Sequence, residues 1–485
     1  MKYLYALLTT FIISAAINPT FAANKATVAV ELSGSWQGAL SVSGQQIPLV
    51  FHIKKTDNGT LAATMDSPAQ GATNIPVESV SVAEAQVSIN IKVAQALFIG
   101  QLDIQNSQID GVWQQGPNKL PLVLKKVAVK PAAAKVNRPQ HPIAPFPYKA
   151  QEVSFTNRKA KIELTGTLTL PTLEEQYPAV ILITGSGPQD RDQTFMGHKT
   201  FWVLADFLTR QGIAVLRFDD RGVGKSQGDF ASANSADFAE DAASAFDYLR
   251  GHPNIINSKI GLIGHSEGGL IAPITATLRS NLGFIALLAA PGQTGDQISI
   301  WQIQSFLQAN GLSSQAAIAG SKITQALNQV VINNSHRDTL SSELVEAHDT
   351  VWQSLTDSIK SEIKSIGGGK LSEARIQQLS SNWTRYFLTH DPANYLRQLT
   401  IPVLALHGDK DTQMSAELNL SDIDKALEGN NNPSNRIEMV SGVNHLFQTA
   451  NSGLMSEYAQ IEETVSPYVL DVLSDWILSV TLTNH

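Results

Sequence analysis

The residues with the clearest chemical potential are Gly264-His265-Ser266-Glu267-Gly268, which fit the pattern G-x-S-x-G. The apolar run 259–263 precedes this motif, and a stretch of small residues predicted to be helical follows it. A sharp strand-to-helix turn of this kind strains the central serine and projects its hydroxyl from the edge of a sheet. We therefore predict that Ser266 is a nucleophile and that His265 is packed within the turn. The alternative is a glycine-rich turn with a solvated serine.

A serine hydroxyl needs a base, because it is a weak nucleophile at neutral pH. His445 follows the predicted strand 436–440, and Asp411 lies in the turn after the predicted strand 401–407. We predict that His445 is the base and that Asp411 fixes its tautomer and stabilises the imidazolium. Asp411 is preferred to Asp409 because it lies farther from the strand end, which leaves Asp409 to cap the turn. The order Ser, Asp, His is that of α/β hydrolases.

An acyl-transfer site also needs hydrogen-bond donors where negative charge develops on the substrate oxygen. The backbone N–H of Glu267, directly after the serine, is the first candidate donor. The second is the backbone N–H of Ser186, in the glycine turn 185–187 after the buried run 179–183. Pro188 has no N–H to give. A plain glycine turn is the alternative for this segment.

Other polar motifs are assigned structural roles. His407 is predicted to cap a strand end, and the remaining histidines lack metal-ligand spacing, so no metal and no cofactor are expected. Residues 222–226 end like a phosphate-binding loop, but Asp219 occupies the position that requires a glycine. Residues 219–222 are instead predicted to form an ion-pair network beneath the site.

The chain divides into segments that differ in their arrangement of apolar, polar and proline residues. Residues 1–22 resemble a secretory signal peptide, and residues 23–128 alternate apolar and polar positions as in an all-β domain. A Pro-rich linker is predicted at 129–148. From 149 to 485, buried strands alternate with helices, which predicts a doubly wound, mostly parallel sheet. Residues 292–398 lack strand signals and are predicted to form a helical cap over the carboxyl edge of that sheet.

Composition limits the partners and the compartment. The net charge is −8, from 35 basic and 43 acidic residues, and no basic block favours nucleic-acid binding. No apolar segment reaches membrane-spanning length, because the N-terminal run is too short. The chain has no cysteine, which excludes disulfides and a lipidated cysteine. We expect an exported protein, periplasmic or secreted, with a small-molecule substrate; the sequence does not decide its oligomeric state.

Four segments together resemble a bacterial α/β-hydrolase family variously described as carboxylesterases or serine aminopeptidase-like hydrolases. These segments are residues 185–192, 217–226, 264–269 and 408–413, with further similarity at 383–387 and 391–392. The resemblance implies an α/β-hydrolase fold and hydrolysis of short acyl esters through Ser266, Asp411 and His445. Thr184 departs from the family, where histidine often precedes the oxyanion glycine, and this affects the shape of the pocket.

Three functions remain open at this level. The first is a serine esterase that works through an acyl-enzyme. The second is an aminopeptidase, in which Glu267 or a cap carboxylate would bind the substrate ammonium, although an ion pair between Glu267 and an arginine is the preferred interpretation. The third is a non-catalytic protein that binds through its β domain. The aromatic residues Trp383, Tyr386 and Phe387 line an acyl pocket or pack the cap core.

Overall fold

The computed structural model describes residues 32–482 except 43–44, 57, 68–71, 95, 116–117, 128–135, 172–174 and 335–336. The predicted signal peptide, residues 1–22, lies outside the described residues. The chain separates into two compact units, the first built mainly from residues before 134 and the second mainly from Ala134–His485.

The first unit is an antiparallel sheet of nine strands, in the order β4-β3-β2-β1-β9-β8-β7-β6-β5. The strands are β1 (Gly34–Val42), β2 (Gln45–Lys55), β3 (Leu61–Ser67), β4 (Ala72–Pro76), β5 (Ser79–Ala83), β6 (Gln86–Ile91), β7 (Ala96–Asp103), β8 (Gln108–Gln115) and β9 (Asn118–Val127). Alternation directs Val87, Ile89 and Ile91 to the buried face of β6. Phe51 contacts the rings of Phe98 and Trp113 in the core of this unit. The predicted all-β region is confirmed.

The second unit contains a sheet of eight strands, in the order β10-β11-β15-β12-β16-β17-β18-β19. Its strands are β10 (Lys149–Asn157), β11 (Ile162–Leu170), β12 (Tyr177–Ile183), β15 (Ala214–Phe218), β16 (Ile255–His265), β17 (Phe284–Leu288), β18 (Val403–Gly408) and β19 (Arg436–Val440), while β13 (Thr194–Phe195) and β14 (His198–Lys199) form a separate pair. Six of these strands run parallel to one another: β15, β12, β16, β17, β18 and β19. Strand β11 pairs antiparallel with β15, and β10 pairs antiparallel with β11.

Both faces of this sheet are covered, as its continuous apolar strands predict. Along β12, Ile181 belongs to one hydrophobic cluster, whereas its neighbours Val180 and Leu182 belong to the cluster on the opposite face. The helices are α1 (Thr200–Arg210), α2 (Ser235–Arg250), α3 (Glu267–Leu278), α4 (Gly295–Ala309), α5 (Ser314–Asn333), α6 (Arg337–Ser354), α7 (Asp357–Ser365), α8 (Glu373–Leu379), α9 (Asn382–Thr389), α10 (Ala393–Leu396), α11 (Ala416–Leu427), α12 (Met455–Tyr458) and α13 (Pro467–Leu482). The predicted α/β-hydrolase fold is confirmed.

The described part of the predicted cap consists of helices α4–α10, with a small core of its own around Leu327, Leu344 and Leu388. Two hydrogen bonds join it to loops at the carboxyl ends of parallel strands. Gln302 Nε2 of α4 donates to the Gln413 carbonyl after β18, and Trp383 Nε1 of α9 donates to Glu267 after β16. The cap therefore lies at the carboxyl edge of the sheet.

The described end of the predicted linker, residues 136–148, belongs to the second unit. Arg138 donates to the carbonyls of Ala459 and Ile461, and Gln140 accepts from the backbone of Thr464. Among the described residues, no helix combines the length and the apolar character that crossing a membrane requires.

Candidate active site

Ser266 lies on a strained turn between β16 and α3. Its backbone has φ 54° and ψ −122°, a conformation that L-residues rarely adopt. The flanking glycines make this turn possible, because a Cβ on Gly264 would lie 2.0 Å from the Gly268 carbonyl oxygen, and a Cβ on Gly268 would lie 2.1 Å from that of Ile183. The Ser266 side chain remains partly exposed. The local geometry is that of a nucleophile elbow.

The structure brings His445 and Asp411 together. His445 Nδ1 donates to Asp411 Oδ2 over 2.7 Å, and both residues are buried. The other oxygen, Oδ1, accepts from the backbone N–H groups of Gln413 and Met414 at 2.8 and 2.9 Å. Burial alone would raise the pKa of Asp411, but the adjacent His445 ring and these backbone donors outweigh it and lower the pKa below 3.8. Asp411 is thus held as a carboxylate against His445.

Asp409 occupies a different environment. Its Oδ1 accepts from the backbone N–H of Gly442 at 2.6 Å, and its Oδ2 accepts from the Ser441 hydroxyl at 3.0 Å. These contacts join the turn after β18 to the turn after β19. Asp409 therefore stabilises the loops, as its predicted capping role requires, while Asp411 contacts the histidine.

Ser266 is joined to the His445 loop through its neighbour His265. His265 Nε2 donates to the His445 carbonyl at 2.8 Å, and the two rings lie 5.0 Å apart. Among the described residues, no hydrogen bond joins the Ser266 hydroxyl directly to the His445 ring. Such catalytic hydrogen bonds often tighten only when substrate binds.

His265 is therefore more than the packed residue that the sequence predicts. Gln193 Nε2 donates to its Nδ1 at 2.7 Å, which leaves Nε2 as the protonated nitrogen. Burial lowers the pKa of His265 to about 3, so the ring is neutral. Its position beside Ser266 was the available signal in the sequence, but its hydrogen-bond partners Gln193 and His445 are remote in sequence.

The two predicted oxyanion donors lie at one edge of the sheet. Glu267 is the first residue of α3, where a backbone N–H has no intrahelical acceptor. The turn that contains Ser186 follows β12, which pairs with β16 through Ile183 and Gly264. A Cβ on Gly185 would lie 3.2 Å from Ser266 Cβ, so this turn contacts the serine.

The Glu267 side chain contradicts the preferred prediction of an ion pair with an arginine. Within the described part of the chain, Glu267 forms no ion pair. Its Oε1 accepts from Ser235 Oγ at 2.6 Å and from Trp383 Nε1 at 2.7 Å, and the residue is 3% exposed. Burial raises the pKa of Glu267, and the hydrogen bonds from Ser235 and Trp383 only partly oppose this. The prediction was wrong because the partners are neutral donors.

The ion-pair network predicted at residues 219–222 is found for two of its members. Arg191 contacts Asp219 at 2.6 Å, and Arg221 contacts Asp241 at 2.7 Å. Asp220 is an exception, because it accepts hydrogen bonds from Thr184 Oγ1 at 2.7 Å and from the backbone of Gln189 at 2.9 Å. Burial raises the pKa of Asp220 to about 7.

The segment that resembles a phosphate-binding loop has structural contacts. Lys225 Nζ contacts both carboxylate oxygens of Glu152, at 2.7 and 2.8 Å. Ser226 Oγ donates to the Asp219 carbonyl at 2.7 Å and accepts from the backbone of Thr165. Both side chains are therefore engaged within the protein.

The three cap aromatics Trp383, Tyr386 and Phe387 differ in what they contact. Trp383 stacks on Phe387 with ring centroids 5.1 Å apart and an interplanar angle of 6°. Phe387 packs against both the cap core and a core of the sheet, and Tyr386 packs against the latter. Phe387 and Tyr386 thus contribute to packing, and Trp383 additionally contacts Glu267, the residue after Ser266.

His407, predicted to cap a strand end, donates from Nε2 to the Ala290 carbonyl at 2.8 Å, just beyond the neighbouring strand β17. Burial lowers the pKa of His407 to about 4. The residue therefore joins two strand ends as a neutral imidazole.

The chain is similar to known hydrolases. A family model described as serine aminopeptidase, S33, matches residues 199–447, just over half of the chain, and this segment includes Ser266, Asp411 and His445. Esterase EstD of Thermotoga maritima is 25% identical over 321 residues, with 65% of each chain covered. The chain thus spans about two thirds of that relative's length.

Solved structures of esterases are also similar to this chain. The Pyrococcus furiosus esterase PF2001 has 15% identity and a TM-score of 0.41, covering 72% of this chain and 98% of that one. Est1E from Butyrivibrio proteoclasticus, solved with ferulic acid, has 16% identity and a TM-score of 0.38, covering 68% and 98%.

Proposed function

The chain belongs to the serine aminopeptidase S33 family of α/β hydrolases, and from this premise we propose that it is a serine esterase that cleaves short acyl esters. The observation that carries the proposal is the buried 2.7 Å contact between His445 Nδ1 and Asp411 Oδ2, with Ser266 on a strained elbow beside it. The description of the Thermotoga relative as an esterase supports the same reaction class.

In the proposed reaction, Ser266 Oγ attacks the ester carbonyl carbon while His445 Nε2 takes its proton. The tetrahedral oxyanion receives hydrogen bonds from the backbone N–H groups of Glu267 and Ser186. His445 then returns the proton to the alcohol as the C–O bond breaks, which leaves an acyl-enzyme. Water, deprotonated by His445, attacks the acyl carbon of this ester. His445 then returns the proton to Ser266 Oγ as the bond between Oγ and the acyl carbon breaks, which releases the acid and restores the serine. Asp411 stabilises the imidazolium at both stages.

Replacement of Ser266 by Ala tests the proposal. If the three residues act as a unit, kcat for a p-nitrophenyl ester should fall by about six decades. A fluorophosphonate probe should label the natural enzyme at Ser266 and leave the variant unlabelled. Activity of the variant equal to that of the natural enzyme would refute the assignment. A series of p-nitrophenyl esters from acetate to laurate would test the preference for short chains.

An aminopeptidase activity is the second candidate, because the matched family model is described by that activity. Glu267 does not support it as the group that binds the substrate ammonium, since its carboxyl is buried and accepts hydrogen bonds from neighbouring side chains. Rates on aminoacyl naphthylamides and acyl esters discriminate the two. Faster cleavage of the amides would reverse the ranking.

Export is also part of the proposal. The basic residue, apolar run and small residues of segment 1–22 support removal of a signal peptide after Ala22. Expression of the full chain in a bacterium, followed by fractionation and intact mass of the product, provides the test. A periplasmic or secreted protein that begins at Ala23 is expected, whereas a cytoplasmic protein that retains residue 1 would refute export.

A further inference from the structure

The Glu267 carboxyl connects three separate elements beside the nucleophile. It projects from the first residue of α3 and accepts hydrogen bonds from Ser235, the first residue of α2, and from Trp383 of the cap helix α9. Helices α2 and α3 and the cap thus meet at one carboxyl group.

The two residues proposed to bind the oxyanion lie just beyond neighbouring strand ends, since β12 and β16 pair through Ile183 and Gly264. Glu267 and Ser186 each supply a backbone N–H to the proposed oxyanion hole, and the turn that contains Ser186 approaches Ser266 closely, because a Cβ on Gly185 would lie 3.2 Å from Ser266 Cβ. The spacing of two such donors matters, because a displacement near 1 Å at a reacting centre can cost about 100-fold in rate.

The cap enters this network through Trp383. Its ring stacks on Phe387, which packs into both the cap core and a core of the sheet. The indole N–H then ends on Glu267 Oε1 at 2.7 Å. The position of the cap therefore directly affects Glu267, the residue that follows Ser266.

From these contacts we propose that Glu267 is a positioning residue, whose side chain fixes the backbone N–H of its own position at the start of α3 and couples it to the cap through Trp383. This inference rests on the proposed esterase function. Burial raises the pKa of Glu267, and both of its hydrogen-bond donors, Ser235 Oγ and Trp383 Nε1, are uncharged groups. A neutral acceptor is therefore sufficient for the role.

The test compares Glu267→Gln with Glu267→Ala. Glutamine retains an oxygen for the Ser235 and Trp383 donors, whereas alanine leaves both donors without this acceptor. We expect kcat on p-nitrophenyl acetate to stay within about threefold for the glutamine variant and to fall about 10- to 100-fold for the alanine variant, with little change in KM. Inhibition by a trifluoromethyl ketone, which mimics the tetrahedral intermediate, should weaken in parallel with kcat.

A second pair of variants tests the hydrogen bond between Trp383 and Glu267 alone. This test remains valid even if Glu267→Ala does not fold. Trp383→Phe removes the indole N–H and keeps a ring to stack on Phe387. We expect it to lower kcat about 3- to 10-fold with KM unchanged. Trp352→Phe is the matched control, because Trp352 is also a half-buried cap tryptophan that stacks, on His348, but its indole makes no hydrogen bond among the described residues. It should retain full kcat.

The outcomes separate this inference from the function on which it rests. An inactive natural enzyme that a fluorophosphonate does not label would overturn the esterase proposal and the inference with it. An active natural enzyme with unchanged kcat and ketone affinity in both Glu267→Ala and Trp383→Phe would overturn the inference alone. Equal losses in Trp383→Phe and Trp352→Phe would also overturn it, since they would indicate general loosening of the cap.

Discussion

Replacement of Asp411 by Asn should keep the shape of the site but place the proton of the neutral His445 ring on the wrong nitrogen. Asp411 Oδ1 accepts from two backbone N–H groups, so the amide oxygen of an asparagine must take that position. The amide N–H₂ then faces His445 Nδ1, where Oδ2 now accepts at 2.7 Å. Nδ1 must become the acceptor, and the proton moves to Nε2. A histidine in this tautomer cannot take the proton of Ser266.

The size of the expected decrease in kcat follows from the loss of general-base catalysis by His445, while substrate binding is retained. A change of this kind lowers kcat by about four decades, which corresponds to about 5.4 kcal/mol in the activation free energy. KM should change little. Steady-state rates on p-nitrophenyl acetate at pH 8 and the rate of fluorophosphonate labelling both measure the effect, and a near-UV circular dichroism spectrum checks the fold.

Asp409→Asn is the matched control, two residues away in the same turn. Its contacts are to Gly442 and Ser441 rather than to the histidine, so kcat should remain within about threefold. If Asp411→Asn kept kcat within tenfold of the natural enzyme, or if Asp409→Asn lost as much, the assignment of the orienting carboxylate would be refuted.

Three further variants test separate features. His265→Phe leaves the His445 carbonyl without its donor and should lower kcat about 10- to 100-fold in steady-state assays. The pKa of Asp220 is about 7 in the folded protein and 3.8 ordinarily, so the natural protein loses stability as pH rises from 4 to 7. Asp220→Asn should therefore raise the free energy of unfolding at pH 8 by up to roughly 4 kcal/mol, measured by urea denaturation. Near pH 4 the variant should show no such gain. Gly264→Ala should lower the free energy of unfolding by about 3 kcal/mol or more, whereas Gly429→Ala, whose Cβ meets nothing within 4 Å, should not.

Features that depend on neighbouring residues were predictable from sequence. The strain at Ser266 arises from five consecutive residues, and the glycines that permit it lie two positions away on either side. The buried strands were predictable because a strand covered on both faces must be apolar at every position, as 179–183 is. Asp411 and His445 could be paired because parallel strands end at a common edge and turns after them converge there.

The side-chain partners within the site were not predictable. Glu267 was expected to pair with an arginine, yet its donors are Ser235 and Trp383, 32 and 116 residues away in sequence. A buried carboxyl can be satisfied by a cation or by neutral donors, and the sequence gives no measure of which will be near. Asp220 was misassigned for the same reason.

The sequence by itself determined the elbow, the order of the polar residues and the doubly wound sheet, since each follows from local backbone geometry or from the period of apolar residues. Only the tertiary structure decided that His265 holds the His445 loop, 180 residues onward, and that the cap reaches Glu267 through Trp383. Such contacts depend on where separate elements pack against one another, and many sequences with the same local pattern would place different donors there.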